Sequence, residues 1–361
     1  MSTRPFLGAR AEEALRRHVN KRLTSRGWRP SVIPFVGYGT TDHIRVLARV
    51  VLRSREPQSH LGMATESFLQ QRGWRNFFTA PAPRAQVQVR LDGSRVDVQA
   101  DRGGYVDVRL RIQGLSSGVH DVEVVTEDGA VSLVPVTVVP SEETFGLVSD
   151  LDDTVISTSL PRLFIAAWNS FVVTEEGRRA IPGMARMYQQ MLADHPTAPV
   201  IYVSTGAWNT HAFLNRFLER HGFPRGAMLL TDWGPTNTGW FRSGPDHKRQ
   251  SLRELARDFP NVRWVLVGDD GQHDPALYGE FAELQPDRVR AIAIRQLSMA
   301  EQVLAHGSTT VLADDDHVTW SPERAPEVRA PNGDELWPLL REALDEVDGC
   351  GPKDQERPQH G

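Results

Sequence analysis

The chain has 361 residues, 40% of them hydrophobic, a formal net charge of −5 and one cysteine, Cys350. That length has room for two ordinary domains, the charge speaks against bulk affinity for nucleic acid, and a lone cysteine excludes an internal disulfide framework. With no signal-peptide pattern at its start and no apolar run near the roughly 20 residues of a membrane-spanning helix, a cytoplasmic protein is expected.

Residues 1–30 hold eight Lys or Arg against two Glu. From Ala9 to Leu23, helical spacing places Ala11, Leu15, Val19 and Leu23 on one face, with Arg16, Arg17, Lys21 and Arg22 around it. A basic amphipathic helix of this kind either docks on its own domain or rests on an anionic membrane surface, so peripheral membrane contact stays open.

Residues 31–140 read as a β-rich domain. Apolar residues alternate in "VQVRL", "VDV" and "VDVRLRI", and "VHDVEVVTEDGAVSLVPVTVV" is two strands around a turn at Glu127-Asp128-Gly129. Short strands at this spacing predict a small β-sandwich-like domain.

The rhythm changes over residues 141–345. Apolar runs "FGLVS", "PVIYVS", "AMLLT", "VRWVLVG" and "VRAIAIR" alternate with helix-length segments such as "GMARMYQQMLADH" and "KRQSLRELARDFP". This alternation predicts an α/β domain with a central parallel sheet, whose ligand lies beyond the carboxyl ends of the strands. Residues 346–361 are polar, broken by Pro and Gly, and expected to be disordered.

The motifs fall at those strand ends. "SDLDDT" puts Asp150, Asp152 and Asp153 into four residues behind "FGLVS", with Thr154 next. A divalent cation explains such a cluster, since Mg²⁺ takes carboxylate and phosphate oxygens; the plainer alternative is an Asp-rich turn. "VIYVSTG" ends on Ser204, Thr205 and Gly206, where a hydroxyl could hold a phosphate oxygen. Lys248 stands near a helix start in "HKRQSLRELA", and "WVLVGDDGQHDPALY" brings Asp269, Asp270 and Asp274.

This ordered set resembles the haloacid dehalogenase superfamily of phosphohydrolases. D-x-D-x-T stands as Asp150 to Thr154, the second-motif hydroxyl as Ser204, the lysine as Lys248, and G-D-x-x-x-x-D as Gly268, Asp269 and Asp274. The stretches "IPGMARMY", "VSTGAW", "FPRGAMLLTDWG" and "AIAIR" extend the resemblance to the actin-patch-associated phosphatidate phosphatase family, from about Phe145 to Leu297. Gly206-Ala207 stands before Trp208 where that family often has Ser-Pro.

The resemblance implies a Rossmann-like three-layer sandwich and a Mg²⁺-dependent phosphoric monoester hydrolase working through an aspartyl-phosphate. It makes Asp150 the nucleophile and Asp152 the acid and base, oriented by Thr154. Ser204, Thr205, Gly206 and Lys248 bind the phosphoryl group. Asp150, the Asp152 carbonyl, Asp269 and Asp274 hold or surround the metal, with Asp274 also able to position Lys248. Asp153 and Asp270 are expected to serve turns.

The intervals between motifs leave no room for a large cap, and an open site suits phosphatidate or a related lipid monoester. It equally suits a phosphoprotein, a sugar phosphate or a polynucleotide end, and a silent binding scaffold is a further alternative. "SLPRLFIAAWNSFVV" could form an apolar lip or simply pack as core, and Trp233 and Trp240 face the same choice. Oligomeric state is not legible.

Overall fold

Residues 22–53, 80–157, 178–231, 244–271, 273–299, 301–302 and 325–349 are described by a computed structural model. The basic segment before residue 22 expected to be helical, the "SLPRLFIAAWNSFVV" segment, Trp233, Trp240 and the tail from residue 350 lie outside the described residues.

β-Branched residues in alternation build the first half of the chain. Its strands are β1 (Arg29–Pro34), β2 (Gly37–Thr40), β3 (His43–Arg53), β4 (Ala80–Pro81), β5 (Gln86–Leu91), β6 (Ser94–Gln99), β7 (Tyr105–Arg111), β8 (Gly118–Thr126) and β9 (Val131–Val139). All nine belong to one sheet, in the order β1-β3-β2-β9-β8-β5-β6, with β4 and β7 also pairing β3. The pairs are antiparallel apart from β2 with β9.

Strand β3 is where this sheet is covered on both faces. Ile44, Val46, Ala48, Val50 and Leu52 point into the sheet's own core with Val122, Val124 and Val136. The alternate residues Arg45 and Leu47 are buried too, on the opposite face, where Leu47 joins the core of the second half of the chain.

The second half is built from β10 (Phe145–Ser149), β11 (Ile156–Ser157), β12 (Arg179–Ala180), α1 (Met184–Leu192), β13 (Val200–Ala207), α2 (His211–Arg220), β14 (Ala227–Thr231), α3 (Gly244–Asp258), β15 (Arg263–Asp269), α4 (Asp274–Leu284), β16 (Val289–Arg295), β17 (Glu327–Ala330) and α5 (Gly333–Gly349). Six of these strands form a sheet in the order β14-β13-β10-β15-β16-β17, parallel at each pairing. Every residue of β10 is buried, as a strand covered on both faces requires. Leu252, Leu255, Leu277 and Phe281 of α3 and α4 pack on one face; Met187, Leu214, Leu336 and Leu340 of α1, α2 and α5 pack on the other.

The fold class expected from the sequence, a three-layer Rossmann-like sandwich preceded by a small β-sandwich-like domain, is corrected by these observations. The largest unit is the nine-stranded, mainly antiparallel sheet, so the chain is a mixed, strand-rich fold and not a parallel-sheet domain with a minor attachment. The physical reason lies in β3. Alternation reports that a strand is half-buried but not which strands pair with it, and this 11-residue strand joins four partners into one sheet. Helix α5 also runs to Gly349, so residues 346–349 of the expected disordered tail are helical, with Asp348 paired to Arg290.

Candidate active site

Strand β10 delivers Asp150 to the carboxyl edge of the parallel sheet, where its N–H donates to the Val267 carbonyl of β15 at 2.9 Å. The chain then turns. Val155 N and Ile156 N both return to the Leu151 carbonyl, and Asp153 takes a left-handed φ of 59° inside the turn. Asp is one of the few residues that tolerate this conformation, which is the turn duty expected of it. Arg295 Nη1 closes the turn by donating to the Asp153 carbonyl at 2.7 Å.

Lys248, in the first turns of α3, reaches into the sheet edge and is 3% exposed. Its Nζ lies 2.8 Å from Asp150 Oδ1 and 2.5 Å from Asp274 Oδ1. Asp269, from the end of β15, uses Oδ1 to accept from Gly271 N at 2.8 Å, and Thr154 Oγ1 stands 3.4 Å from its Oδ2. One oxygen each from Asp150, Asp269 and Asp274 lies within 4.8 Å of the others. Gly268 is what admits Asp274: a Cβ there would sit 2.6 Å from Asp274 Oδ2.

Three buried carboxylates face one ammonium, and the electrostatics follow from that count. Burial pushes the Asp150 carboxyl up to about 8; Lys248 works against this, while Asp274 and Asp152 add to it. Burial also raises Asp269 well above the ordinary carboxylate range, reinforced by Asp274 and Asp150. Burial opposes the charge on Lys248, but Asp150 and Asp274 outweigh it and hold the group above its ordinary value. With no further positive charge beside them among the described residues, Asp150 and Asp269 therefore favour their protonated forms, and a cation at the cluster would favour the charged ones.

Asp150 Oδ2 and Asp274 Oδ2 are buried with no hydrogen-bond partner among the described residues. Orphaned carboxylate oxygens next to a third carboxylate are the donor set a hard divalent cation takes, so these residues fit a metal of the Mg²⁺ type.

Asp152 turns away from that cluster. Its Oδ2 accepts from Ser204 Oγ at 3.1 Å, and Ser204 Oγ in turn accepts from Gly206 N at 2.9 Å. Thr205 and Gly206 continue β13, their carbonyls 2.7 and 3.3 Å from Thr231 Oγ1. The structure therefore gathers all nine residues singled out from the sequence along one sheet edge, in two subgroups: Asp150, Asp269, Asp274, Lys248 and Thr154; and Asp152, Ser204, Thr205 and Gly206. Asp270 lies aside, its Oδ1 accepting from Leu297 N at 2.8 Å.

Arg178 was not legible in the sequence. Its guanidinium lies 4.8 Å from the Phe213 ring centroid, and burial lowers it to about 10, with the Asp152 charge acting the other way. In "EEGRRAIPGM" nothing separates it from its neighbour Arg179.

Residues 145–296 match a family model described as the catalytic domain of phosphatidate phosphatase APP1. Phosphatidate phosphatase APP1 of Saccharomyces cerevisiae is 26% identical over 264 residues, covering 67% of this chain and 43% of that protein. An uncharacterized protein of Schizosaccharomyces pombe is 25% identical over 152 residues, 42% of this chain and 25% of its own length. The chain thus spans less than half the length of these relatives. Among solved structures, a carbohydrate acetylesterase from Xanthomonas citri aligns over 78% of this chain and 77% of its own at 14% identity, but with a TM-score of 0.26. A 2,6-sialyltransferase from Photobacterium aligns over 73% of this chain and 52% of its own at 11% identity and a TM-score of 0.25. Scores that low say nothing about a shared fold.

Proposed function

We propose, on the premise that residues 145–296 carry a catalytic domain of the phosphatidate phosphatase APP1 kind, that the chain is a phosphoric monoester hydrolase acting on phosphatidate or a related lipid phosphomonoester. The observation that carries this reading is Lys248 held between Asp150 and Asp274, beside Asp269 and two unpartnered carboxylate oxygens.

In this reading Asp150 Oδ2, which no donor among the described residues occupies, attacks phosphorus in line, and an aspartyl-phosphate forms as the alkoxide leaves. Asp152 gives the alkoxide its proton and later takes one from the water that hydrolyses the intermediate. Ser204 orients that carboxyl through its hydrogen bond and shares the phosphoryl oxygens with Thr205, Gly206 and Lys248. Lys248 stays charged and meets the negative charge of the transferring group. Thr154, expected from the sequence to orient Asp152, stands 3.4 Å from Asp269 Oδ2 and in this reading supports that carboxylate instead. Bound Mg²⁺, held by Asp150, Asp269, Asp274 and the Asp152 carbonyl, would supply further neutralisation of that charge. A lipid substrate would be met at a membrane surface, consistent with peripheral contact; no helix among the described residues is long and apolar enough to cross a membrane.

The test is phosphate release from phosphatidate in liposomes with Mg²⁺, compared by kcat/KM with a soluble phosphomonoester, a phosphopeptide and a sugar phosphate. Phosphatidate should lead the panel, and Asp150→Asn should abolish turnover. Full activity in that variant would overturn the mechanism, and a preference for another monoester would overturn the lipid assignment.

A further inference from the structure

Two contacts of the nine-stranded sheet end on elements of the site. The first is a buried polar network between β2, β3, β7 and helix α3. Arg45 Nη1 donates to Tyr38 Oη at 2.8 Å and Glu254 Oε2 at 2.9 Å, while its Nε and Nη2 hold both oxygens of Asp107 at 2.8 and 2.6 Å. Tyr38 donates onward to Asp258 Oδ2 at 2.9 Å, and Arg109 reaches Glu254 and Asp258 at 2.9 and 3.1 Å. Arg45, Tyr38, Glu254 and Asp258 are all buried. Glu254 stands on the helix that carries Lys248, about 9 Å along its axis at 1.5 Å per residue.

The second contact grips the segment behind Ser204. Trp208, the residue after β13, stacks on Phe35 with centroids 4.8 Å apart and planes 15° from parallel, and lies 5.5 Å from the Tyr105 ring. Phe35 sits between β1 and β2, and Tyr105 opens β7. The helix bearing Lys248 and the turn following Ser204 are therefore tied to the same sheet by separate contacts.

We infer that the nine-stranded sheet is a positioning clamp for the phosphate-binding groups, with Arg45, Tyr38 and Phe35 setting where Lys248 and Ser204 stand. The inference rests on the phosphatase reading for its consequence but not for its geometry. A buried, multiply hydrogen-bonded arginine holds a helix in register more tightly than apolar contact does, because each partner left behind is an unpaired buried group. A shift of about 1 Å in a phosphate-binding group is enough to slow a positioned reaction about a hundredfold. None of these side chains touches a reacting group itself, so they are positioning residues.

The experiment compares Arg45→Met, Tyr38→Phe and Phe35→Leu with Val124→Ala, a substitution inside the sheet's own core that touches no helix of the second half. In the full-length protein the first three should lower kcat about tenfold while KM moves less than threefold. Val124→Ala, matched to them in loss of thermal stability, should leave kcat within twofold. Hydrogen exchange read by mass spectrometry should quicken at least fivefold in peptides covering residues 202–212 and 244–252, and only in the clamp variants. Tyr38→Phe keeps the ring and decides the matter if Arg45→Met does not fold. Equal kcat losses in Val124→Ala, or exchange unchanged in both peptides, would overturn the clamp. A wild-type protein that hydrolyses no monoester would overturn the phosphatase reading instead, and the exchange arm would still decide the clamp.

Discussion

Lys248 and Asp274 share a 2.5 Å hydrogen bond in a place where both residues are at most 3% exposed, and the absence of a side chain at Gly268 is what lets Asp274 stand there. The bond holds the ammonium against Asp150, so disturbing it should act on that proposed nucleophile as well as on Lys248. Gly268→Ala places a methyl group 2.6 Å from Asp274 Oδ2 and 2.8 Å from the Tyr278 ring, with β15 paired on both sides and unable to move away. Turnover should fall about a hundredfold, and steady-state kinetics against Asp274→Asn should show the two variants failing in the same way.

Lys248→Met should cost more than activity. It removes the one cation among three buried carboxylates, and breaking a buried ion pair typically costs about 3–5 kcal/mol. Urea unfolding should show a loss on this scale in metal-free protein, and added Mg²⁺ should recover part of it by binding the same oxygens. For the wild type, Mg²⁺ should raise Tm and EDTA should lower it, a readout that does not depend on having the right substrate.

The site was legible in the sequence because each of its groups follows an apolar strand or opens a helix, and a parallel sheet lines such ends along one edge. Asp150, Ser204 and Asp269 are separated by more than fifty residues at each step, yet their strands β10, β13 and β15 are direct neighbours. The large sheet was not legible in the same way. Its alternation marks half-buried strands, but the partners of β3 are set by contacts far apart in the chain, such as Ala48 with both Pro34 and Val106. Arg45, Arg109, Glu254 and Asp258 were invisible for a related reason. In sequence they are charges on strand and helix faces, and only the docking of the two halves shows that Arg45, Glu254 and Asp258 are buried and that Arg109 pairs with the last two.

His211 makes the packing around Trp208 sensitive to acid. Its ring lies 4.1 Å from that of Phe35, and burial lowers its pKa from 6.5 to about 4. The unfolded chain therefore takes up the proton first as pH falls. The stability tied to neutral His211 is whole above about pH 6.5 and drains away toward pH 4, up to about 3 kcal/mol at about 1.4 kcal/mol per pH unit. His211→Gln cannot gain that charge. Urea unfolding at pH 7.5 and pH 4.5 should show a smaller acid loss for His211→Gln than for wild type; parallel losses would mean that carboxylates alone account for the slope.

Asp152 and Asp153 are adjacent and chemically identical, which makes them a strict test of roles assigned by geometry. Asp152 offers its carboxylate to Ser204, whereas Asp153 takes a left-handed φ of 59° and gives its backbone N–H to the Ile156 carbonyl at 2.8 Å. Asparagine keeps the size and the tolerance of that conformation but cannot serve as a general acid. Asp152→Asn should therefore lower kcat about 10²–10⁴-fold, the range general acid–base catalysis supplies. Asp153→Asn should stay within about threefold of wild type, while Asp153→Val, whose branched Cβ resists positive φ, should lose stability by about 1–3 kcal/mol. If the two asparagine variants lost activity equally, the turn would be acting as one acidic unit, and the division of labour read from the Ser204 hydrogen bond would have to be abandoned.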